Sequence, residues 1–123
     1  MYDHLGLQVK NLDASVRFYE AALEPLGHEL GYRSEAMAGF GSANATGLWL
    51  AQTPDAGERG AHLAFTAANR AAVERFHKKG LAAGGSDNGA PGLRADYGPS
   101  YFAAFLVDPD GNNVEAVCLA EES

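Results

Sequence analysis

Three side chains in this sequence have the types and placement to hold a metal ion: His4, His62 and Glu115. The two histidines open matching stretches, "DHLGLQV" and "AHLAFTA", each alternating apolar with small or polar residues as a half-buried strand does. Strand side chains point alternately to opposite faces. Leu5, Leu7 and Val9 therefore share one face, with His4, Gly6 and Gln8 on the other. The second stretch repeats this, with Leu63, Phe65 and Ala67 opposite His62, Ala64 and Thr66. In "NNVEAVCLA" the apolar set is Val114, Ala116 and Cys118, which sends Glu115 to the side of the histidines. A carboxylate flanked by Val114 and Ala116 is costly unless paired, neutralised or metal-bound. Two imidazoles and one carboxylate form a facial set that leaves coordination positions open, suited to Fe(II), Mn(II), Zn(II) or Ni(II). The plainer alternative is an exposed His4 near the chain end and a Glu115 at a wet strand end beside Asn112 and Asn113.

The elements that position these residues occur twice. "NLDASVRFYEAALEPLG" is a helix that Asn11 or Asp13 caps and Pro25 with Gly27 ends. Strands follow near residues 28–34, 36–42 and 46–52, and "TPDAGERG" has the composition of a linker. The pattern then restarts with "NRAAVERFHKKGLAAGG" as a second helix. A shift of 58 residues superposes His4 on His62, Asn11 on Asn69, Arg17 on Arg75, Phe18 on Phe76, Leu23 on Leu81 and Gly27 on Gly85. Matches in both strand and helix at one offset indicate an internal duplication. A long loop spans 84–100, with room for one short strand; its glycines make it either a lid or a plain surface loop. "YFAAFLVD" and "NNVEAVCLA" form a hairpin across Asp108-Pro109-Asp110-Gly111. The expected fold is α+β, one domain of two tandem modules: about 1–53, a linker at about 54–60, and about 61–120.

Composition bounds the function. The chain has 123 residues, 46% of them apolar, enough for a real core. Nine basic against 16 acidic residues give a net charge of −7, which disfavours a phosphate backbone as partner. Cys118 is the one cysteine, so no internal disulfide forms and a reducing compartment is expected. No apolar run approaches the roughly 20 residues of a membrane span, and strand-like sequence starts too early for a signal peptide. A cytoplasmic location follows as an expectation.

With these residues in place, the sequence resembles the vicinal oxygen chelate superfamily: glyoxalase I, extradiol dioxygenases, fosfomycin-resistance enzymes and bleomycin-resistance proteins. The resemblance rests on "DHLGLQVKNLDASVRFYEAAL", "AHLAFTAANRAAVERFH" and, most sharply, "YFAAFLVDPDGNNVEAV". It implies two βαβββ modules whose sheets curl around a metal-bearing cleft. It also implies one divalent ion held by His4, His62 and Glu115, a small-molecule substrate and a homodimer. Whether the cleft forms within one chain or across a dimer stays open.

Departures from the family patterns narrow the choice. Four-ligand members such as glyoxalase I take a further ligand from the last strand of the first module, where this chain has Trp49. That indole either lines the pocket, where it can stack on a flat or cationic substrate, or packs in the core. Dioxygenases carry a tyrosine ten residues before the glutamate; here the position is Phe105, a pocket wall, with Tyr101 on the same face as a substitute acid or hydrogen-bond donor. Fosfomycin enzymes have a threonine two residues after the first histidine, where Gly6 stands.

Other motifs are weaker. "GFGSAN" lacks the third glycine of a dinucleotide fingerprint, Cys118 points to the helix side, and His28 and His77 are read as surface residues. The leading expectation is a metal-dependent enzyme with Glu115 and Tyr101 at its catalytic centre and the metal as Lewis acid. The alternative is a non-catalytic binding protein that sequesters a small ligand in the same cleft without metal.

Overall fold

The computed structural model describes residues 2–42, 45–54 and 60–120. The first half runs β1 (Leu5–Val9), α1 (Leu12–Leu23), a 3-10 turn (Glu24–Leu26), β2 (Glu29–Arg33), β3 (Met37–Ser42) and β4 (Ala45–Gln52). The second runs β5 (His62–Thr66), α2 (Arg70–Ala82), β6 (Ser86–Leu93), β7 (Phe102–Val107) and β8 (Asn113–Cys118). Each half makes a four-stranded sheet, in the order β1-β4-β3-β2 and β5-β8-β7-β6. In both, the first strand pairs parallel to the last, and the other pairings are antiparallel. The two βαβββ modules are thus as the repeat implies. Most of the linker, residues 55–59, lies outside the described residues.

The helices start alike for one chemical reason. Asn11 and Asn69 sit in extended backbone, and each side-chain oxygen accepts from an amide three residues on, Ala14 N at 3.1 Å and Ala72 N at 2.8 Å. This satisfies a backbone donor that the first helical turn cannot. Asp13, the other candidate cap, instead pairs with Arg33. Phe18 and Phe76 are both fully buried, and α1 packs against α2. The core lies between these helices and the apolar sheet faces, with Val9, Tyr19, Phe40, Leu50, Leu106 and Val114 all without measurable or with almost no exposure. The duplication has drifted at one matched pair: Leu23 is buried but Leu81 is exposed.

Two details differ from the expectation. The loop at 84–100 begins with a full eight-residue strand, β6, irregularly paired with β7 around Gly89 and Gly92. Its Gly- and Pro-rich composition hides it, because those residues normally mark turns. In β1, Val9 is buried as a core-facing residue should be, but Leu5, at the strand's first position, is 42% exposed and borders a cavity with Leu23, His28, Phe40 and Phe65. No helix among the described residues is long and apolar enough to cross a membrane.

The β7–β8 turn ties the halves together. Asp108 is buried and accepts from Tyr19 Oη of α1 at 2.5 Å, Asn112 Nδ2 at 2.7 Å, and the amides of Asp110 and Asn112 at 2.9 Å. Asp110 reaches the start of α1, accepting from the Lys10 amide at 2.9 Å and Ser15 Oγ at 3.0 Å. Gly111 takes the left-handed conformation, φ +87°, that closes the turn. Burial, and then the Asp108 charge, push the Tyr19 phenol well above its ordinary range, so it remains a donor.

This network predicts a graded loss of stability. Asp108→Ala strands several buried donors and should cost about 2–4 kcal/mol, whereas Tyr19→Phe removes one donor and should cost about 1–2 kcal/mol. Chemical denaturation measures both. Equal stability of Asp108→Ala and the parent would show that the turn does not join the halves.

Candidate functional site

Glu115 is the centre of the site. Its neighbours on β8, Val114 and Ala116, are fully buried on the helix side, and strand alternation turns its carboxylate to the opposite face. There it remains buried, with its side chain only 3% exposed. A carboxylate so placed needs hydrogen bonds. His62 Nε2 lies 2.8 Å from Oε1, and Tyr101 Oη donates to Oε2. On the far side of the imidazole, Asn113 Nδ2 lies 3.0 Å from Nδ1. An amide nitrogen only donates, so Nδ1 accepts, and the hydrogen-bond network assigns the proton to Nε2, which donates to Glu115.

Sheet register brings these groups together. On one side of β8, Ala64 of β5 pairs with Glu115, and His62 with Asn113; on the other, Phe105 of β7 pairs with Glu115. The Phe105 ring meets the His62 ring edge-on, with centroids 6.4 Å apart. Tyr97 packs edge-on against Tyr101 at 5.2 Å, and a cavity opens among His62, Asp96, Tyr97, Tyr101, Phe105 and Glu115. The hydrogen bond to Glu115, followed by burial and the carboxylate charge, pushes the Tyr101 phenol from its ordinary value near 10 up to about 12. It is therefore a neutral donor at physiological pH.

The other sequence candidates lie elsewhere. His4 is apart from this cluster, with Nδ1 2.7 Å from Asp3 Oδ1 and its side chain 57% exposed. Trp49 is the register counterpart of Glu115: it pairs with Gly6 of β1 as Glu115 pairs with Ala64. It is half-buried, contacts Tyr32 at 5.6 Å, and lines a cavity with His4, Gly6, Gln8 and Met37. Within one chain, then, His62, Glu115, Tyr101 and Phe105 converge, while His4 and Trp49 share the face of the other sheet. Among the described residues, no three His, Cys, Asp or Glu side chains gather closely enough to hold a metal. Cys118 is a buried core thiol, as its parity implies.

His77 is not the free surface residue expected. Its side chain is only 12% exposed, and Nε2 lies 2.8 Å from Asp87 Oδ1, tying α2 to β6. That hydrogen bond, with a second from the Gly89 amide, lowers the Asp87 pKa. His28 faces Phe65 at 6.4 Å, and its Nδ1 is buried without a partner among the described residues. Arg94, Tyr97 and Asn113 were missed as site residues. The available signal was a lone cation beside a tyrosine in "GLRADYG", within an otherwise uncharged or acidic loop.

The paired βαβββ architecture and the acid on the last strand define a family. The glyoxalase/bleomycin resistance protein/dioxygenase superfamily model matches residues 2–116, and the chain belongs to this superfamily. A glyoxalase/bleomycin resistance protein from Albidiferax ferrireducens is 28% identical, with a TM-score of 0.80 over 96% of this chain and 98% of that one. A glyoxalase-related enzyme from Fulvimarina pelagi has the same fold at 19% identity, TM-score 0.75, over 96% and 87% of the two chains. A glyoxalase I variant from Zea mays also shares it, at 24% identity and TM-score 0.74, over 96% of this chain and 46% of that longer one. No curated protein matches the chain.

The Tyr101 environment sets a pH dependence. A phenol whose pKa is raised on folding contributes stability that is present below pH about 10 and lost as pH rises toward 12. The difference in phenolate absorbance between the parent and Tyr101→Phe should titrate near pH 12. In Glu115→Gln it should move back toward 10. A Tyr101 midpoint near 10 in the parent would contradict the hydrogen bond to Glu115.

Proposed function

We propose that the chain is a metal-dependent enzyme acting on a small oxygenated molecule, and that two copies build its site. His62 and Glu115 of one copy and His4 of another would hold one divalent ion. The observation that carries this reading is the division of the donor set. A buried carboxylate and an imidazole already converge at 2.8 Å, a chemically suitable pair for Fe, Mn, Zn or Ni, whereas His4 stands on a separate face. Exposed edges support the second copy. β1 and β5, which follow or begin with the two histidines, each end their sheet, and an unpaired strand edge is a template for another strand. Leu5, Tyr32 and Met37 leave apolar surface exposed on the first half. A two-fold pairing would use the same surfaces on both copies and form two equivalent sites.

When bound, the ion would supply Lewis acidity toward a substrate carbonyl, enol or hydroxyl pair. The chain's own residues have separate tasks. Tyr101 holds its proton at neutral pH and gives its one donor to Glu115, which fixes the carboxylate. It would stabilise charge developing on a substrate oxygen by turning that donor away from the carboxylate. The assigned His62 tautomer, with Nδ1 accepting from Asn113 and the proton on Nε2, is not a ligating one. To hold the ion through Nε2, His62 would move its proton to Nδ1, and Asn113 would turn its side-chain oxygen to accept it. Phe105 walls the site, and Trp49 of the other copy would close it from the opposite face. The proposal includes a cytoplasmic homodimer, a setting that suits the single buried Cys118.

A second reading has its own support. Glu115 is already satisfied by His62 and Tyr101, so the same cavity can serve a binding protein that needs no cation. Metal titration separates the two. Calorimetry with Mn(II), Ni(II) or Zn(II) should give about one ion per chain, in a dimer by light scattering. Losing even a supporting contact behind a metal ligand costs about 10–100-fold in affinity, so His4→Ala, His62→Ala and Glu115→Ala should each cost at least that. Equal affinity in the parent and all three variants would overturn the metal site.

A further inference from the structure

Beside the His62–Glu115 cavity lies a second one, lined by Asn88, Gly89, Arg94, Tyr97, Phe105 and Asn113. The two share Tyr97 and Phe105 as common walls. Arg94 lies over the Phe105 ring with Cζ 5.5 Å from its centroid, and donates one hydrogen bond, to the Ala90 carbonyl at 2.6 Å. The backbone of β6 is shaped to receive it. A side-chain carbon at Gly92 would stand 3.0 Å from Arg94 Nη1, and one at Gly89 would stand 3.2 Å from Nη2 and 2.9 Å from Phe105. At Gly92 the guanidinium would have to give by a few tenths of an ångström, and at Gly89 the ring beneath it would have to shift. Ring and carbonyl thus hold the fork in one orientation, leaving its other donors uncommitted among the described residues.

The surrounding charges sharpen the point. In a chain of net charge −7, no carboxylate pairs with Arg94 among the described residues. Asp87 is committed to His77 and the Gly89 amide, and Glu115 to His62 and Tyr101. Asp96 lines the adjoining cavity without reaching the guanidinium. An oriented, unpaired guanidinium is suited to bidentate binding of a planar anion. Between it and the dyad lie the aromatic wall of Phe105 and an amide chain, Asn88 Nδ2 to Asn113 Oδ1 at 3.3 Å and Asn113 to His62 at 3.0 Å.

From this arrangement we infer that Arg94 is a specificity-determining residue, and that the substrate is an organic anion. One ring-sized body would lie along Phe105, with its oxygen pair at the His62–Glu115 end and a carboxylate on Arg94. The inference deepens the proposed function and rests on it for the role of the oxygen pair, but the carboxylate contact needs no metal. Excluding metal therefore separates the two ideas.

The test uses benzoate and its neutral isostere benzamide, titrated into the full-length protein with chelator present and followed by amide NMR. Benzoate should bind saturably, perturbing residues 88–97, 105 and 113, at least about tenfold more tightly than benzamide, the weight of one charge-assisted contact. Arg94→Ala should abolish that preference, and Arg94→Lys, which keeps the charge but not the fork, should retain part of it. The inference is overturned if the parent binds the two equally, if benzoate shows no saturable effect there, or if Arg94→Ala keeps the preference. The metal titration is a separate readout and stands or falls independently of each result.

Discussion

The buried Asp108 carboxylate sets the geometry on which the site depends. It belongs to the last turn of the second half, yet the phenol it binds, Tyr19, belongs to the helix of the first. Asp110 adds contacts at the start of that helix. β8 leaves this turn at Asn113, two residues before Glu115. A change in the turn would shift β8 against β5 and β7, and a slip of one residue would turn Glu115 into the helix side. The "DPDGN" stretch, which carries much of the family likeness, therefore acts by position: it holds the strand that bears the acid.

Duplication supplies two equivalent positions, and the halves have filled them differently. Glu115 and Trp49 occupy matching places in their sheets, one a carboxylate bonded to histidine and tyrosine, the other an indole against Tyr32. The second half carries the polar chemistry. The first half carries an exposed histidine, an aromatic face and an uncovered strand edge. Among the described residues neither face holds three metal donors, and the two faces complement each other in type. The proposed pairing of copies follows from that asymmetry.

Much of this was legible in the sequence because it depends on local rules. Asn11 and Asn69 mark helix starts through one side-chain oxygen, and Asp108 to Gly111 marks a hairpin through turn chemistry. Alternation along one strand correctly turned Glu115 away from Val114 and Ala116. What alternation cannot supply is which two sheet faces meet, because the packing of α1 on α2 sets the relation between the halves. His4 could thus be assigned a face but not a partner. Arg94 was obscured differently: β6 is built from residues that normally signal turns, and the glycines accommodating the guanidinium are the same ones that disguise the strand.

The most direct test of the central claim, that one site draws on two copies, is complementation between two defective proteins. His4→Ala and Glu115→Ala would each be purified, mixed in equal amounts under conditions that exchange subunits, and titrated with metal. A mixed dimer then contains one site with every donor intact and one lacking two. Random exchange should restore about a quarter of the tight metal-binding capacity of the parent, although neither variant alone retains it. If the exchanged mixture binds no better than its separate components, the site does not span two copies and the account is contradicted.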